Sequence, residues 1–557
     1  MYWLNENSRE FLKRGYLNEG ETAESRIRDI AEAAEKILGK KGFADKFYSY
    51  MEKGYYSLST PVWANFGKKR GLPISCFGSS IEDNMGDILY TQAEVGMMSK
   101  MGGGTSGYFG HLRPRGAEIK DNGVSSGSVH FMQLFQTAVD VVSQGSTRRG
   151  SFSPYLPLEH KDIEEFLEIG TEGNPIQRLT HGVTVTNKWM QEMIDGDVDK
   201  RKIWAKVLQI RGEVGYPYIF FTDNANNNTV DVYKKENLKI KASNLCTEIM
   251  LPSNEEWSFV CCLSSVNLLH YDEWKNTDAV ETLTYFLDAV MTEFIEKMKY
   301  YKKSENLEER RVYDFMKKAY KFAKHNRALG LGVLGYHSLL QSKMIAYESE
   351  EAMKLNKEVF KFIKEKSYAA SEKMAKEYGE PKMLKGYGRR NTTLNAVAPT
   401  TSSAFILGQV SQSIEPLMSN SYVKDLAHMK VTIKNKFLEK LLEEKGKNTR
   451  EVWGQIRQDN GSVMNLDFLS EEEKNVFKTF SEISQADIIA HAAARQPYID
   501  QGQSLNIMIH PETPTKDINN LYILAWKMGL KSLYYQHSMN SAQEFNRKLT
   551  QCKNCEA

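Results

Sequence analysis

An α/β architecture with parallel strands is what this sequence predicts, and three textures predict it. Charged helical stretches ("LTYFLDAVMTEFIEKMKYYKK", "EAMKLNKEVFKFIKEKSYAASEKMAKEYG") alternate with short apolar or glycine-rich segments ("ALGLGVLGY", "TLNAVAPTTSSAFILG"). That is the pattern of strands joined by crossover helices. Ahead of them, residues 22–55 carry apolar side chains at helical spacing. Beyond "KSLYYQHSM" the chain turns polar and keeps no apolar anchor, so a mobile tail is expected there.

Each element has its own reason. Thr22 can cap a first turn, and Ile27, Ile30, Ala34, Ile37 and Leu38 then recur on one helical face, which Phe43, Phe47 and Met51 continue. One helical stretch over 22–55 is the expectation. From "STPVWANFG" to about residue 186 the chain is glycine-rich loops between short apolar runs, among them "SKMGGGTSGYFG", "NGVSSGSVHF" and "SQGSTRRGS". "WSFVCCLSSVNLL" reads as a buried strand, on which the adjacent Cys261 and Cys262 must face opposite sides.

Composition narrows the function classes. The 557 residues are 41% hydrophobic and 26% charged, as in ordinary globular proteins. A net charge of +2 gives no reason to expect nucleic acid as a partner. No apolar run nears the ~18 residues needed to cross a bilayer, and the start "MYWLNENSREFLKRGYL" lacks a signal pattern, so a cytoplasmic protein is expected. Six cysteines in such a length are no disulfide scaffold.

Two glycine motifs carry little. "GLGVLG" has the spacing of a dinucleotide loop, but a charged helix precedes it where a strand is required; a glycine-rich buried strand is the better reading. "GGGTSG" is no Walker loop, because Tyr108 stands where lysine is needed. It is either a plain turn or a place where backbone N–H groups approach a phosphate.

The cysteines say more. In "SNLCTEI", if the segment is extended, Asn244, Cys246 and Glu248 share one face. The alternative is that Cys246 is a small buried hydrophobe, although a core strand should not carry Asn and Glu beside it. Cys76 lies in "PISCFGSS". The terminal pair Cys552 and Cys555 lacks the further ligands of a zinc site, which favours a dithiol on a flexible arm, suited to thiol–disulfide exchange.

In this order along the chain, "SCF", "NLCTEI", one cysteine of "CCLSSVNL", "PTTSS", "LYYQ" and the tail dithiol resemble the large, catalytic subunit of class I ribonucleotide reductase. The resemblance runs from about residue 5 to the C-terminus. It implies a ten-stranded α/β barrel over 59–540, a helical region over 1–58 ahead of it and a flexible redox tail over 541–557. It also implies roles. Cys246 on a loop inside the barrel becomes a thiyl radical, Glu248 is general base and Asn244 holds the substrate. Cys76 and Cys261 supply two electrons, and Cys262 matches a non-cysteine position. Cys552 and Cys555 swing in to reduce that pair, and thioredoxin or glutaredoxin reduces them in turn.

By the same resemblance, Tyr534 and Tyr535 relay a radical from a metal-containing small subunit, so no metal and no covalently bound cofactor belong to this chain. The substrate is a ribonucleoside diphosphate, contacted by Thr60, Ser75, Gly103, Gly104 and the Pro399, Thr400, Thr401, Ser402, Ser403 cradle, where Thr401 replaces an acidic residue of relatives. Asp83, Arg113, Gln144 and Arg148 form a site for dNTP or ATP effectors, in a chain expected to form a homodimer. The family-like segment begins almost at residue 1, leaving no room for an N-terminal ATP-binding regulatory domain. The rival readings are a cobalamin-dependent reductase, against which the tyrosine pair argues, and a non-catalytic nucleotide-binding paralogue, against which the retained cysteines and Glu248 argue.

Overall fold

A computed structural model describes residues 1–145, 148–408, 410–426 and 429–538. The α/β architecture is present, helices first. Thr22 caps its helix reciprocally: its hydroxyl accepts from Ser25 N at 3.1 Å, while Ser25 Oγ accepts from Thr22 N at 3.0 Å. The single helical stretch expected over 22–55 is instead two helices, Ala23–Leu38 and Phe43–Glu52. Gly39 ends the first in the left-handed region at φ +63°, a conformation that glycine takes without steric penalty. The apolar face nevertheless continues across the break. Ile27, Ile30, Ala34, Phe47 and Met51 are all buried, and Phe47 stacks on Phe286 of the long helix Ala279–Lys303 with ring centres 4.4 Å apart.

Five parallel strands make one half of a barrel: Cys76–Ser80, Gly104–Tyr108, Phe152–Pro157, Gly182–Val185 and Tyr218–Phe221. The other half begins with Phe259–Asn267 and Leu329–Leu334, again parallel. Two short extended segments carry it on. Leu331 N donates to Leu394 O at 2.8 Å, and Val397 N to Gly502 O at 3.0 Å. Tyr534 N then donates to Leu505 O at 2.9 Å, and Ile507–Ile509 runs parallel to Gln536–Ser538. Counting 394–397, 501–509 and 532–538 as strands, each half has five, and the ten-stranded barrel closes.

The halves meet at two antiparallel seams. Cys76–Ser80 runs against Phe259–Asn267 at one, and Ser532–Leu533 against Tyr218–Phe221 at the other. "GLGVLG" is the buried strand expected: a Cβ on Gly332 would lie 2.5 Å from Ala396 O, so glycine is what lets the next segment approach. Among the described residues, no helix is long and apolar enough to cross a membrane.

Candidate active site

Residues 243–250 are buried and tied to both halves of the barrel. On one side Ser106 Oγ donates to Ser243 O at 3.0 Å, and Tyr155 OH donates to Asn244 O at 3.1 Å. On the other, Gly502 N donates to Glu248 O at 2.8 Å and Ser532 Oγ to Thr247 O at 3.0 Å. A segment held from both sides in this way runs through the interior.

It is not extended, the condition under which "SNLCTEI" would line up Asn244, Cys246 and Glu248 on one face; it is a turn, in keeping with the loop that the resemblance implies for Cys246. Asn244 N donates to Ile249 O at 3.1 Å and Ile249 N to Asn244 Oδ1 at 3.0 Å, closing a turn with Thr247 at φ +69°. Asn244 Nδ2 donates to Cys76 Sγ at 3.2 Å. Cys76 is 6% exposed, Cys246 5% and Glu248 0%. One carboxylate oxygen, Glu248 Oε2, lies 3.1 Å from Ser504 Oγ; the other, Oε1, is buried without a hydrogen-bond partner. Burial drives the Glu248 carboxyl up to about 7, although its own backbone N–H, Asn244 and Ser504 pull the other way. A carboxylate poised near neutrality inside a closed site suits a general base.

The alternation expected on the cysteine strand is seen. Cys261 stands directly opposite Cys76 across the antiparallel seam, which puts both side chains on one face. Burial raises both thiols well above their ordinary range, and the Glu248 carboxylate adds to this at each. Cys262 turns the other way, its Sγ donating to Leu287 O at 3.4 Å on the Ala279–Lys303 helix.

Tyr534 is buried and Tyr535 half-buried, with ring centres 4.4 Å apart at 53°. Tyr218 touches both, at 4.8 and 5.2 Å. Cys246 and Tyr534 belong to one small buried cluster, against which Tyr535 packs. Cys552 and Cys555 lie outside the described residues.

The remaining expected residues fall into five places. Ser75, Gly103 and Gly104 flank the cysteine loop: Gly104 N donates to Ser75 O at 2.8 Å, and a Cβ on Gly104 would touch Leu245 at 3.4 Å. Thr60, buried, hydrogen-bonds Tyr16 OH at 3.2 Å. Pro399 leads into the short helix Thr401–Ile406, where Thr400 Oγ1 accepts from Ser413 N at 2.8 Å and Thr401 Oγ1 donates to Gln412 Oε1 at 3.1 Å, with Ser402 and Ser403 buried. Arg113 Nε donates to Asp83 Oδ2 at 2.7 Å at the rim of the barrel. Gln144 Nε2 donates to Asn65 Oδ1 at 2.7 Å, and Gln144 N to Arg148 O at 2.8 Å.

Sequence reasoning missed the segment "DQGQSLN". Gln501 Oε1 accepts from Met250 N at 3.0 Å, and its Nε2 lies 3.6 Å from Cys261 Sγ. Ser504 Oγ reaches both Glu248 and the Cys246 carbonyl. The available signal was polarity on both faces of a segment just ahead of the apolar "IMI", which exposure alone does not explain.

Residues 2–71 match the ribonucleotide reductase all-alpha domain, and residues 74–198, 193–384 and 381–536 match the ribonucleotide reductase barrel domain. Among solved structures, an Actinobacillus ureae class Id ribonucleotide reductase alpha subunit is 57% identical with a TM-score of 0.89, over 97% of this chain and 98% of that one. A ribonucleoside-diphosphate reductase large subunit of Invertebrate iridescent virus 3 is 31% identical over 95% of this chain and 92% of its own length. A vitamin B12-dependent ribonucleoside-diphosphate reductase of Thermoplasma acidophilum is 27% identical over 94% of this chain and 69% of its own.

Proposed function

Because the chain belongs to the ribonucleotide reductase large-subunit family, we propose that it replaces the 2′-hydroxyl of ribonucleoside diphosphates by hydrogen through a thiyl radical on Cys246. The observation that carries this reading is the buried group itself. Cys246, the near-neutral Glu248 with one carboxylate oxygen unpartnered, and the Asn244–Cys76 hydrogen bond occupy one interior turn. Cys246 takes the 3′-hydrogen, Glu248 takes the proton of the 3′-hydroxyl, and the 2′-hydroxyl leaves as water. Cys76 and Cys261 give up the hydrogens on their sulfurs and close a disulfide, which supplies two electrons and two protons. Cys552 and Cys555 then reopen it, with thioredoxin or glutaredoxin as the ultimate dithiol.

The source of the radical follows from the tyrosines. The contact between Tyr534 and Tyr535, beside the cluster that holds Cys246, supports delivery from a separate metal-containing small subunit. The 57% identity to a class Id alpha subunit supports the same class I reading. Thr60, Ser75, Gly103, Gly104 and residues 399–403 would hold the nucleotide and its phosphates. Asp83, Arg113, Gln144 and Arg148 would hold a dNTP or ATP effector in a homodimer.

The test is CDP reduction by the full chain with a small subunit and dithiothreitol. Deoxycytidine diphosphate is expected, falling to background in Cys246→Ser. Activity with adenosylcobalamin and no small subunit would replace the class I reading by that of the B12-dependent relatives.

A further inference from the structure

Gln501 is fully buried and carries a denser set of hydrogen bonds than packing alone asks of a glutamine. Its Oε1 accepts from Met250 N at 3.0 Å, which fixes the orientation of the amide. Nε2 must then face Leu329 O at 3.1 Å, Thr393 Oγ1 at 3.1 Å and Cys261 Sγ at 3.6 Å. Two N–H groups serve three acceptors, and a thiol sulfur is the weakest of them. A thiolate would be the strongest, because hydrogen bonds to charge are shorter and about twice as strong as neutral ones.

The two sulfurs of the redox pair are not equally approachable. Thiol–disulfide exchange needs the attacking thiolate to reach one sulfur and the other to leave with the electron pair. Cys76 is 6% exposed and faces the interior turn through Asn244. Cys261 is 0% exposed, and the backbone of Gly330 comes so close that a Cβ there would lie 3.1 Å from its sulfur. An attacker therefore meets Cys76, and Cys261 is the sulfur that leaves, as an anion buried away from water. Such an anion is very costly without a donor.

We propose that Gln501 is a catalytic residue of the disulfide-opening step, its Nε2–H donating a hydrogen bond to the thiolate left on Cys261 when the Cys76–Cys261 disulfide is attacked at Cys76. This rests on the redox role proposed above for that pair. The entering thiolate forms a bond to Cys76 Sγ, the Cys76–Cys261 bond breaks, and Cys261 departs with both electrons. The proton released by the entering thiol restores Cys261 to the thiol. The second thiol of the dithiol then frees Cys76 and becomes the other half of the reductant's disulfide.

The experiment uses the full chain with Cys552→Ser and Cys555→Ser, oxidised by a turnover on CDP with its small subunit and no reductant. Brief 2-mercaptoethanol treatment, alkylation with N-ethylmaleimide and peptide mass spectrometry then read the regiochemistry. The mercaptoethanol adduct is expected on Cys76 and the maleimide on Cys261. In the same background, Gln501→Glu keeps the acceptor for Met250 N but loses the donor, and dithiothreitol should reopen the disulfide roughly tenfold to a hundredfold more slowly. Thr393→Val removes a neighbour of the same amide without touching sulfur, and reopening should stay within about twofold. Adducts on Cys261, or equal slowing by both substitutions, would overturn the proposal. Absence of any Cys76–Cys261 disulfide after turnover would overturn the redox reading and this proposal with it.

Discussion

The two antiparallel seams of the barrel are built alike and furnished differently. At one, Cys76 stands opposite Cys261. At the other, Ser532 and Leu533 pair with Phe220 and Ile219 and lead directly into Tyr534 and Tyr535, which pack on Tyr218. Residues directly opposed across an antiparallel pair have Cβ atoms about 4.5–5.5 Å apart, near enough for two cysteines on different strands to bond after a small adjustment. Electron exchange between tyrosines needs no bond, only rings in contact. The turn that carries Cys246 is fastened to both seams, through Asn244 to Cys76 and through the Thr247 carbonyl to Ser532. In the proposed mechanism, two-electron and one-electron chemistry therefore meet at one turn without sharing a wall of the barrel.

The comparison breaks most sharply at its extremes. Tyr535→Phe and Cys261→Ser should each reduce steady-state CDP reduction to background, for opposite reasons. Tyr535→Phe should give no product even in a first turnover, yet its Cys76–Cys261 disulfide, formed by a chemical oxidant, should be reduced by dithiothreitol as fast as in the parent. Cys261→Ser should leave radical delivery intact and form no such disulfide. Rapid-quench product analysis together with thiol counting separates the two; a Tyr535→Phe chain that turns over would remove the tyrosine seam from the mechanism.

A smaller effect tests the turn between the seams. Glu248 can accept a proton only when ionised, so kcat/KM should fall as pH drops through about 7, the value to which burial raises it. Ser504 donates a hydrogen bond that favours the ionised form. Ser504→Ala should therefore raise the carboxyl further and move the acid limb of the profile upward by about one pH unit. A limb that stays in place would assign the profile to another group. The smallest effect is expected behind the thiol seam, where Cys262 faces the Ala279–Lys303 helix. Cys262→Ser should keep kcat within about twofold and lose about 1 kcal/mol in urea unfolding.

What was legible in the sequence follows the reach of each signal. The opposite facings of Cys261 and Cys262 were readable because strand alternation is strictly local. The Thr22 cap was readable for the same reason. The break at Gly39 went unread because the apolar spacing of Ile37 and Leu38 with Phe43 and Phe47 carries across it, and periodicity reports the face rather than the backbone. Residue spacing alone leaves the segment 243–250 open between extended and turned, because nothing local announces a threonine in the left-handed region at Thr247. The polarity of the segment holding Gln501 and Ser504 is readable, but the partners of these residues are not, for a different reason. Their partners Cys261, Met250, Cys246 and Glu248 lie some 240–258 residues away, and only closure of the barrel by 394–397 and 501–505 brings them together.

Thr247 separates the thiol from the carboxylate, and it is an awkward occupant of its place. Its backbone lies at φ +69°, its side chain is β-branched, and its hydroxyl is buried without a partner. A left-handed residue of this kind costs about 1–2 kcal/mol that glycine would not. On the roles proposed for Cys246 and Glu248, endurance and catalysis pull this position in opposite directions. A chain refined for thermal resistance alone would drift to glycine here, relaxing the bend and letting Cys246 and Glu248 wander relative to each other. Threonine makes the fold slightly less durable than glycine would, and in the proposed mechanism the stiffer bend is what keeps the two side chains in mutual aim.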